Sequence, residues 1–370
     1  MGFVINSIDQ KQHINLSEEA WIKIDEDMRN FYFNDGRANL SGFLNTVFTN
    51  FYEEAEASIS YRMDELYDEL ERTFSDPLFD KYDEKTKRDF VNRIVMVEQN
   101  RLVKKVRSYP KGQGRKFRIN NQNVAILEES IDDKFYEGSL GLYLKGIFEE
   151  YARKPYDERE KIFFKQTLNI IRLSITQKKR LKLSLKEKGY ADGSIRMERK
   201  FYVSPHSVVV DKTSKFNYLV GFAQEILPNG EIAEERMVSF RIARINQIRM
   251  MSSKSGRLTL IKQRTLEQEL ASKGPQFLSG DIIEAVVRFT EKGIENYQRQ
   301  INMRPQYTRK IDDYTYVFHC PEVQMIYYFF KFGRDATILA PESLREKFRQ
   351  RYQSALNNYL DEKQKPESIA

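Results

Sequence analysis

"LSGFLNTVFTNFYEEA" (Leu40–Ala55) and "LGLYLKGIFEEYAR" (Leu140–Arg153) are two versions of one segment. Aligned, they pair Leu40 with Leu140, Leu44 with Leu144, Val47 with Ile147, Phe48 with Phe148 and Phe51 with Tyr151. In the first version Leu40, Phe43, Leu44, Val47, Phe48, Phe51, Tyr52 and Ala55 recur at the i, i+3, i+4, i+7 spacing of a deeply buried helix. Upstream, "KQHINLS" (Lys11–Ser17) alternates like a strand, and Trp21, Ile24, Met28 and Phe31 mark a helix before the turn "NDGRAN". The second version has the same preface: "RKFRINN" (Arg115–Asn121) for the strand and "QNVAILEESIDDKFY" for the helix. The repeat extends further, since "YDEKTKRDF" from Tyr82 echoes "YDEREKIFF" from Tyr156.

A short strand followed by two helices resembles the ribbon-helix-helix family, whose copies pair their strands into an antiparallel ribbon. The pairing has a physical cause: a lone strand with one apolar face can neither satisfy its backbone nor bury its side chains. Strand 11–17 can pair with strand 115–121 of the same chain or across a homodimer. The stripe from Leu40 to Ala55 is wider than one short helix covers, which predicts a paired N-terminal unit and a homodimer. In DNA-binding members the ribbon enters the major groove. The outward residues by alternation are Lys11, His13 and Asn15 in the first copy, and Lys116, Arg118 and Asn120 in the second.

Charge narrows the partners. The 370-residue chain has a formal net charge of +7. Residues 1–100 nevertheless carry 11 Lys and Arg against 21 Asp and Glu, a net of −10, which leaves +17 on the rest. Two runs stand out, "RLVKKVRSYPKGQGRKFR" (Arg101–Arg118) and "QKKRLKLSLKEKG" (Gln177–Gly189), the latter with Lys178, Lys179 and Arg180. Such runs are the footprint of a polyanion partner or, more plainly, a solvated face. No apolar run approaches a membrane span, and the start "MGFVINSIDQ" lacks the pattern of a signal peptide. A cytoplasmic protein without membrane attachment is expected. One cysteine, Cys320, excludes an intrachain disulfide and a thiolate-rich metal site.

From Phe164 a helix with Leu168, Ile171 and Ile175 leads into strands "ERKFYVSPHSVVVD", "KFNYLVGFAQ" and "EERMVSFRIARINQIRMM". This resembles the WYL domain, a small Sm-like β-domain of bacterial regulators, through Ser204-Pro205-His206-Ser207, Asn217-Tyr218-Leu219 and Phe240-Arg241-Ile242-Ala243-Arg244-Ile245. Two departures matter: Asn217 stands at the tryptophan that names the family, and Ala243 at the usual aspartate. Segments Asp281–Gln300 and Tyr314–Leu360 resemble the extension that follows WYL domains, with Gly333, Pro341, Leu344 and Arg345 in its Gly, Pro and Leu-Arg places before the last helix.

The expected fold class is α+β: ribbon-helix-helix-like helical repeats at residues 1–108 and 109–164, an Sm-like WYL domain at 165–265 and an α/β extension at 278–362. Alternation puts Phe216, Tyr218, Val220 and Phe222 on one face. Arginines on an aromatic-lined sheet can pair phosphates and stack on bases, as single-stranded nucleic acid requires. The candidate nucleic-acid residues are therefore Ser204, His206, Tyr218, Arg241 and Arg244, with Lys116, Arg118, Lys178, Lys179 and Arg180. The plainer reading makes Arg241 and Arg244 ion-pair partners of Glu234 and Glu235.

Nothing points to catalysis. His13, His206 and His319 are scattered, Cys320 sits in an apolar strand, and no HExxH, P-loop or GxSxG occurs. No cofactor or metal is expected. The combination of domains resembles the accessory WYL-domain proteins of type VI-D CRISPR systems, which implies a homodimer that binds single-stranded RNA and stimulates an RNA-guided RNA nuclease. The alternative is a WYL-family transcriptional regulator that reads operator DNA with its ribbons and senses a nucleotide or nucleic-acid ligand.

Overall fold

The computed structural model describes residues 2–5, 10–32, 39–110, 112–185, 198–278 and 282–362. Strands β1 (Lys11–Leu16) and β2 (Gln113–Arg118) pair antiparallel within the chain, with Lys11 opposite Arg118 and His13 opposite Lys116. The ribbon thus needs no second copy. Its inner face buries Ile14, Leu16 and Phe117; its outer face exposes Lys11, His13, Asn15, Lys116 and Arg118. Asn120 does not belong to that face. The strand ends two residues earlier, and the Asn120 side chain accepts from Asn123 N as the cap of the next helix. Asparagine is a strong helix cap, and here that preference ends the strand.

Helices α1 (Glu18–Phe31), α2 (Leu40–Phe51), α5 (Asn121–Glu129) and α6 (Leu140–Arg153) pack beneath the ribbon. The intervening helices α3 (Ile59–Phe74) and α4 (Glu84–Ser108) form a hairpin arm, and α7 (Tyr156–Phe163) follows α6. The stripe predicted for α2 is buried at Phe43, Leu44, Val47, Phe48 and Phe51 against the second copy's Tyr143, Leu144, Ile147, Phe148 and Tyr151. This intrachain cover removes the reason for expecting a homodimer from the width of that stripe. The echo between Tyr82 and Tyr156 is not a structural equivalence, because it opens a 25-residue arm helix in one case and an 8-residue helix in the other.

One buried ion pair ties the two copies together. Arg159 of α7 donates Nε and Nη2 to the Asp27 carboxylate of α1 at 2.6 and 2.9 Å, and the Tyr151 hydroxyl donates to it at 2.8 Å. The arm's root lies close to α6, where a Cβ at Gly146 would stand 2.8 Å from that of Ala57. Glycine permits that approach despite its cost inside a helix.

Helix α8 (Lys165–Thr176) enters an antiparallel five-stranded sheet made of β3 (Lys179–Leu185), β4 (Arg199–Val210), β5 (Asn217–Ile226), β6 (Arg236–Arg241) and β7 (Ile245–Ser255), in the order β6-β5-β4-β3-β7. Leu168 and Ile171 of α8 cover the face with Leu181, Leu183, Phe201, Val203, Leu219 and Phe240. On the opposite face α9 (Leu260–Lys273) lays Leu266 over Val220 and Phe222, and among the described residues no helix covers the β4, β3 and β7 side.

The remaining chain builds a second sheet, with β8 (Ile282–Phe289), α10 (Glu291–Arg299), β9 (Tyr307–Lys310), β10 (Thr315–Pro321), α11 (Glu322–Phe329), β11 (Ala336–Ala340) and α12 (Glu342–Glu362). Its order is β11-β8-β10-β9, around a core that includes Phe289, Phe318, Phe329 and Leu344. Leu344 and Arg345 lie inside α12 rather than before it. The separate helical and antiparallel-sheet regions make the chain α+β. Among the described residues no helix is long and apolar enough to cross a membrane.

Candidate nucleic-acid interface

The residues expected to bind nucleic acid fall into three places. Arg180 and Ser204 meet on adjacent strands, where Arg180 Nε donates to Ser204 Oγ at 3.2 Å and Nη2 to Gln224 Oε1 at 2.9 Å. Arg180 also pairs with Glu235 at 3.4 Å, and Lys262 of α9 binds that same carboxylate. His206 Nε2 lies 3.6 Å from Glu267 of α9. These groups line the part of the sheet that α9 covers, where Arg180 and Lys262 share the Glu235 carboxylate and His206 faces Glu267. Lys178 is exposed in the turn before β3, and Lys179 donates to Ser252 O at 2.7 Å.

Tyr218 and Arg241 face each other across β5 and β6. Loss of water holds the half-buried Tyr218 phenol above its ordinary pKa. Arg241 is held on every side: its guanidinium stacks 3.4 Å from the Phe216 ring, Nη2 donates to the Tyr156 hydroxyl at 2.8 Å, and Nε lies 3.8 Å from Glu160 Oε1. Glu160 belongs to α7 and is fully buried. Its Oε2 accepts from both the backbone N (2.7 Å) and Nδ2 (2.8 Å) of Asn217. Asn217 is thus a buried amide that locks the N-terminal helices to the sheet. Burial raises the Glu160 carboxyl above its ordinary range, outweighing the Asn217 donors and the Arg241 charge. Arg241 therefore pairs with Glu160, not with Glu234 or Glu235, because the tertiary fold brings α7 beside β5. Arg244 is exposed in the turn between β6 and β7.

The open half of the sheet presents a different set. Strand register aligns Arg249, Lys182, Tyr202 and Gln224 in one row across β7, β3, β4 and β5. Directly opposed residues share a face, so these four side chains point the same way. Lys182 Nζ sits 5.7 Å from the Tyr202 ring centre. Lys200 stands two residues before Tyr202 on β4, and Lys182, Lys200 and Arg249 line one shallow groove of about 280 Å³ whose described lining residues include no carboxylate, with the Glu198 carboxyl, held below its ordinary range by Ser184 and Asn246, beside Lys200. Among the described residues none of these three cations is in an ion pair. Sequence reading missed the row because its members lie on three separate strands. The signal was the alternation of "KRLKLSL", whose Lys182 falls on the same face as Arg180.

The ribbon supplies a second basic surface. Lys11, Lys116 and Arg118 point outward together, so its exposed face is basic although the first 100 residues are acidic overall. Part of that acid is already neutralised by the ribbon itself, as at Asp25, whose carboxylate takes both Arg115 amino groups at 2.6 and 2.8 Å.

No protein-family model and no curated protein matches the sequence. Among solved structures the fold is similar to that of a protein described as "a CRISPR Cas-related protein". The two are 24% identical with a TM-score of 0.70, over 95% of this chain and 94% of that one. At this identity the likeness shows a common fold. Proteasome accessory factor B/C of Arthrobacter aurescens matches at 14% identity over 68% of this chain and 39% of its own, with a TM-score of 0.30.

Proposed function

We propose that the chain is a non-catalytic accessory protein of a CRISPR system that binds single-stranded RNA on the open face of its WYL-like sheet. The observation that carries this reading is the row of Arg249, Lys182 and Tyr202 with Lys200 beside it, three cations that form no ion pair among the described residues. Cations spaced by adjacent strands meet successive phosphates, while the tyrosine ring offers a platform to a base of any identity. Likeness in fold to a CRISPR Cas-related protein supports the CRISPR setting. The finer proposal, stimulation of the RNA-guided RNA nuclease of a type VI-D system, follows from the resemblance of the domain combination. Arg180, Ser204, His206 and Arg241 then act as the frame behind this surface, since each already contacts a neighbouring side chain, and Tyr218 stands opposite Arg241 on the adjacent strand.

A second reading, operator DNA bound by a ribbon-helix-helix-like unit, is favoured by the outward Lys11, His13, Lys116 and Arg118. One measurement separates the two. Affinities for single-stranded RNA, single-stranded DNA and duplex DNA are compared at fixed salt. The RNA proposal is refuted if a particular duplex binds thousands of times more tightly than single-stranded RNA.

A further inference from the structure

The row next to Arg249, Lys182 and Tyr202 is chemically unlike it. Two residues along each strand, register sets Gln247 of β7 and Lys200 of β4 on either side of Ser184 of β3, on the same face and about 6.8 Å from the first row. Glu198, just ahead of β4, stands two residues before Lys200. Its carboxylate reaches across β3: Oε1 accepts from Asn246 Nδ2 of β7 at 2.6 Å, and Ser184 on the strand between also holds it. The β3–β7 register shifts between Ser184 and Leu185, leaving Asn246 without an opposite residue, and a bulge of this kind re-aims a side chain. Ser184, Asn246 and the Lys200 charge keep the Glu198 carboxyl below its ordinary range, so it is ionised at neutral pH.

An anion is out of place where phosphates bind unless it meets another part of the nucleotide. A carboxylate accepts hydrogen bonds and cannot donate them, so it repels phosphate and binds hydroxyl or amino hydrogens. Ribose offers such a hydroxyl at every 2′ carbon and deoxyribose does not. Gln247, exposed on the same face, has a side-chain amide that can donate to the hydroxyl oxygen while Glu198 accepts its proton. We infer that Glu198 and Gln247 read the 2′-hydroxyl of a ribose whose phosphate lies on Lys182 and Arg249, so that this face prefers RNA to DNA of the same sequence. The inference rests on the proposal that the sheet binds a single strand.

The test measures, by fluorescence anisotropy at fixed salt, the affinity of the full chain for two oligonucleotides of one sequence free of U and T, one of ribose and one of deoxyribose. Wild type is expected to favour the RNA about tenfold or more, the worth of one hydrogen bond to a charged group. A 2′-fluoro strand, which keeps the ribose pucker without the hydroxyl proton, binds wild type like the DNA. Glu198→Ala, at an exposed position, weakens RNA binding and slightly strengthens DNA binding, because a negative charge has gone. Gln247→Ala narrows the RNA preference and leaves DNA affinity unchanged. Equal affinity of wild type for the two strands overturns the inference, as does a Glu198→Ala variant that keeps the RNA preference or loses affinity for both strands alike, which would make the carboxylate structural or a reader of bases. Failure of the underlying proposal looks different: neither strand binds, or replacing Lys182, Lys200 and Arg249 together leaves both affinities unchanged, and the inference falls with it.

Discussion

Replacing Lys182, Lys200 and Arg249 together by alanine removes three cations from this face of the sheet, none of which forms an ion pair among the described residues. Lys200 and Arg249 are exposed and Lys182 half-buried, so the thermal midpoint should change little. If each cation neutralises one phosphate, each contributes about 0.7 to the slope of log affinity against log salt for a single strand. Losing three flattens the slope by about 2. At 0.15 M salt each cation removed costs about 0.6 log units, so the triple variant binds single-stranded RNA roughly 50-fold more weakly, about 2.4 kcal/mol. The assay is fluorescence anisotropy with a labelled RNA of mixed sequence, repeated from about 0.05 to 0.5 M salt. Tyr202→Ala serves as the contrast, expected to cost about 1–3 kcal/mol because a base no longer stacks there, and to leave the slope unchanged. A triple variant whose salt slope equals that of wild type would refute the assignment of this face, whatever its affinity.

Asp27→Asn should destabilise the N-terminal region by about 3–5 kcal/mol, because it leaves the Arg159 guanidinium buried without its counter-charge; chemical denaturation measures this. Glu160 has a folded-state pKa raised above its ordinary value, so its contribution to stability is present below that ordinary value and is lost as pH rises through the folded one. Relative to wild type, Glu160→Gln should therefore gain stability as pH climbs above the ordinary glutamate range; a melting-temperature difference that moves the other way counts against a burial-dominated site. Lys116→Ala with Arg118→Ala should weaken duplex DNA binding and lower its salt slope by about 0.9 for each phosphate no longer neutralised, with single-stranded RNA binding less affected. Equal losses on both ligands would place the ribbon within the RNA surface.

Much of the N-terminal architecture was legible because its signals are local. Trp21, Ile24, Met28 and Phe31 share one helical face by spacing alone, and all four are buried. Alternation likewise separated Ile14 and Leu16 from Lys11 and His13. The failures lie where the answer depends on distant chain. Asn217 could be recognised as a departure, but its partner Glu160 is 57 residues away and on another layer. That contact turned Arg241 inward. Nor does periodicity reveal the open row, since Arg249, Lys182 and Tyr202 become neighbours only through the register of β7, β3 and β4. Asn120 failed for a different reason: its capping chemistry competes with strand extension, and the cap wins.

Joining both halves of the ribbon in one polypeptide has a consequence for whatever lies across it. Two identical strands would present the same side chains in both directions and suit a palindrome. Here Lys11, His13 and Asn15 oppose Arg118, Lys116 and Gly114, so the halves differ at each outward step. The surface therefore has a head and a tail, and a strand laid along it in the 5′ to 3′ sense meets different chemistry from one laid in reverse.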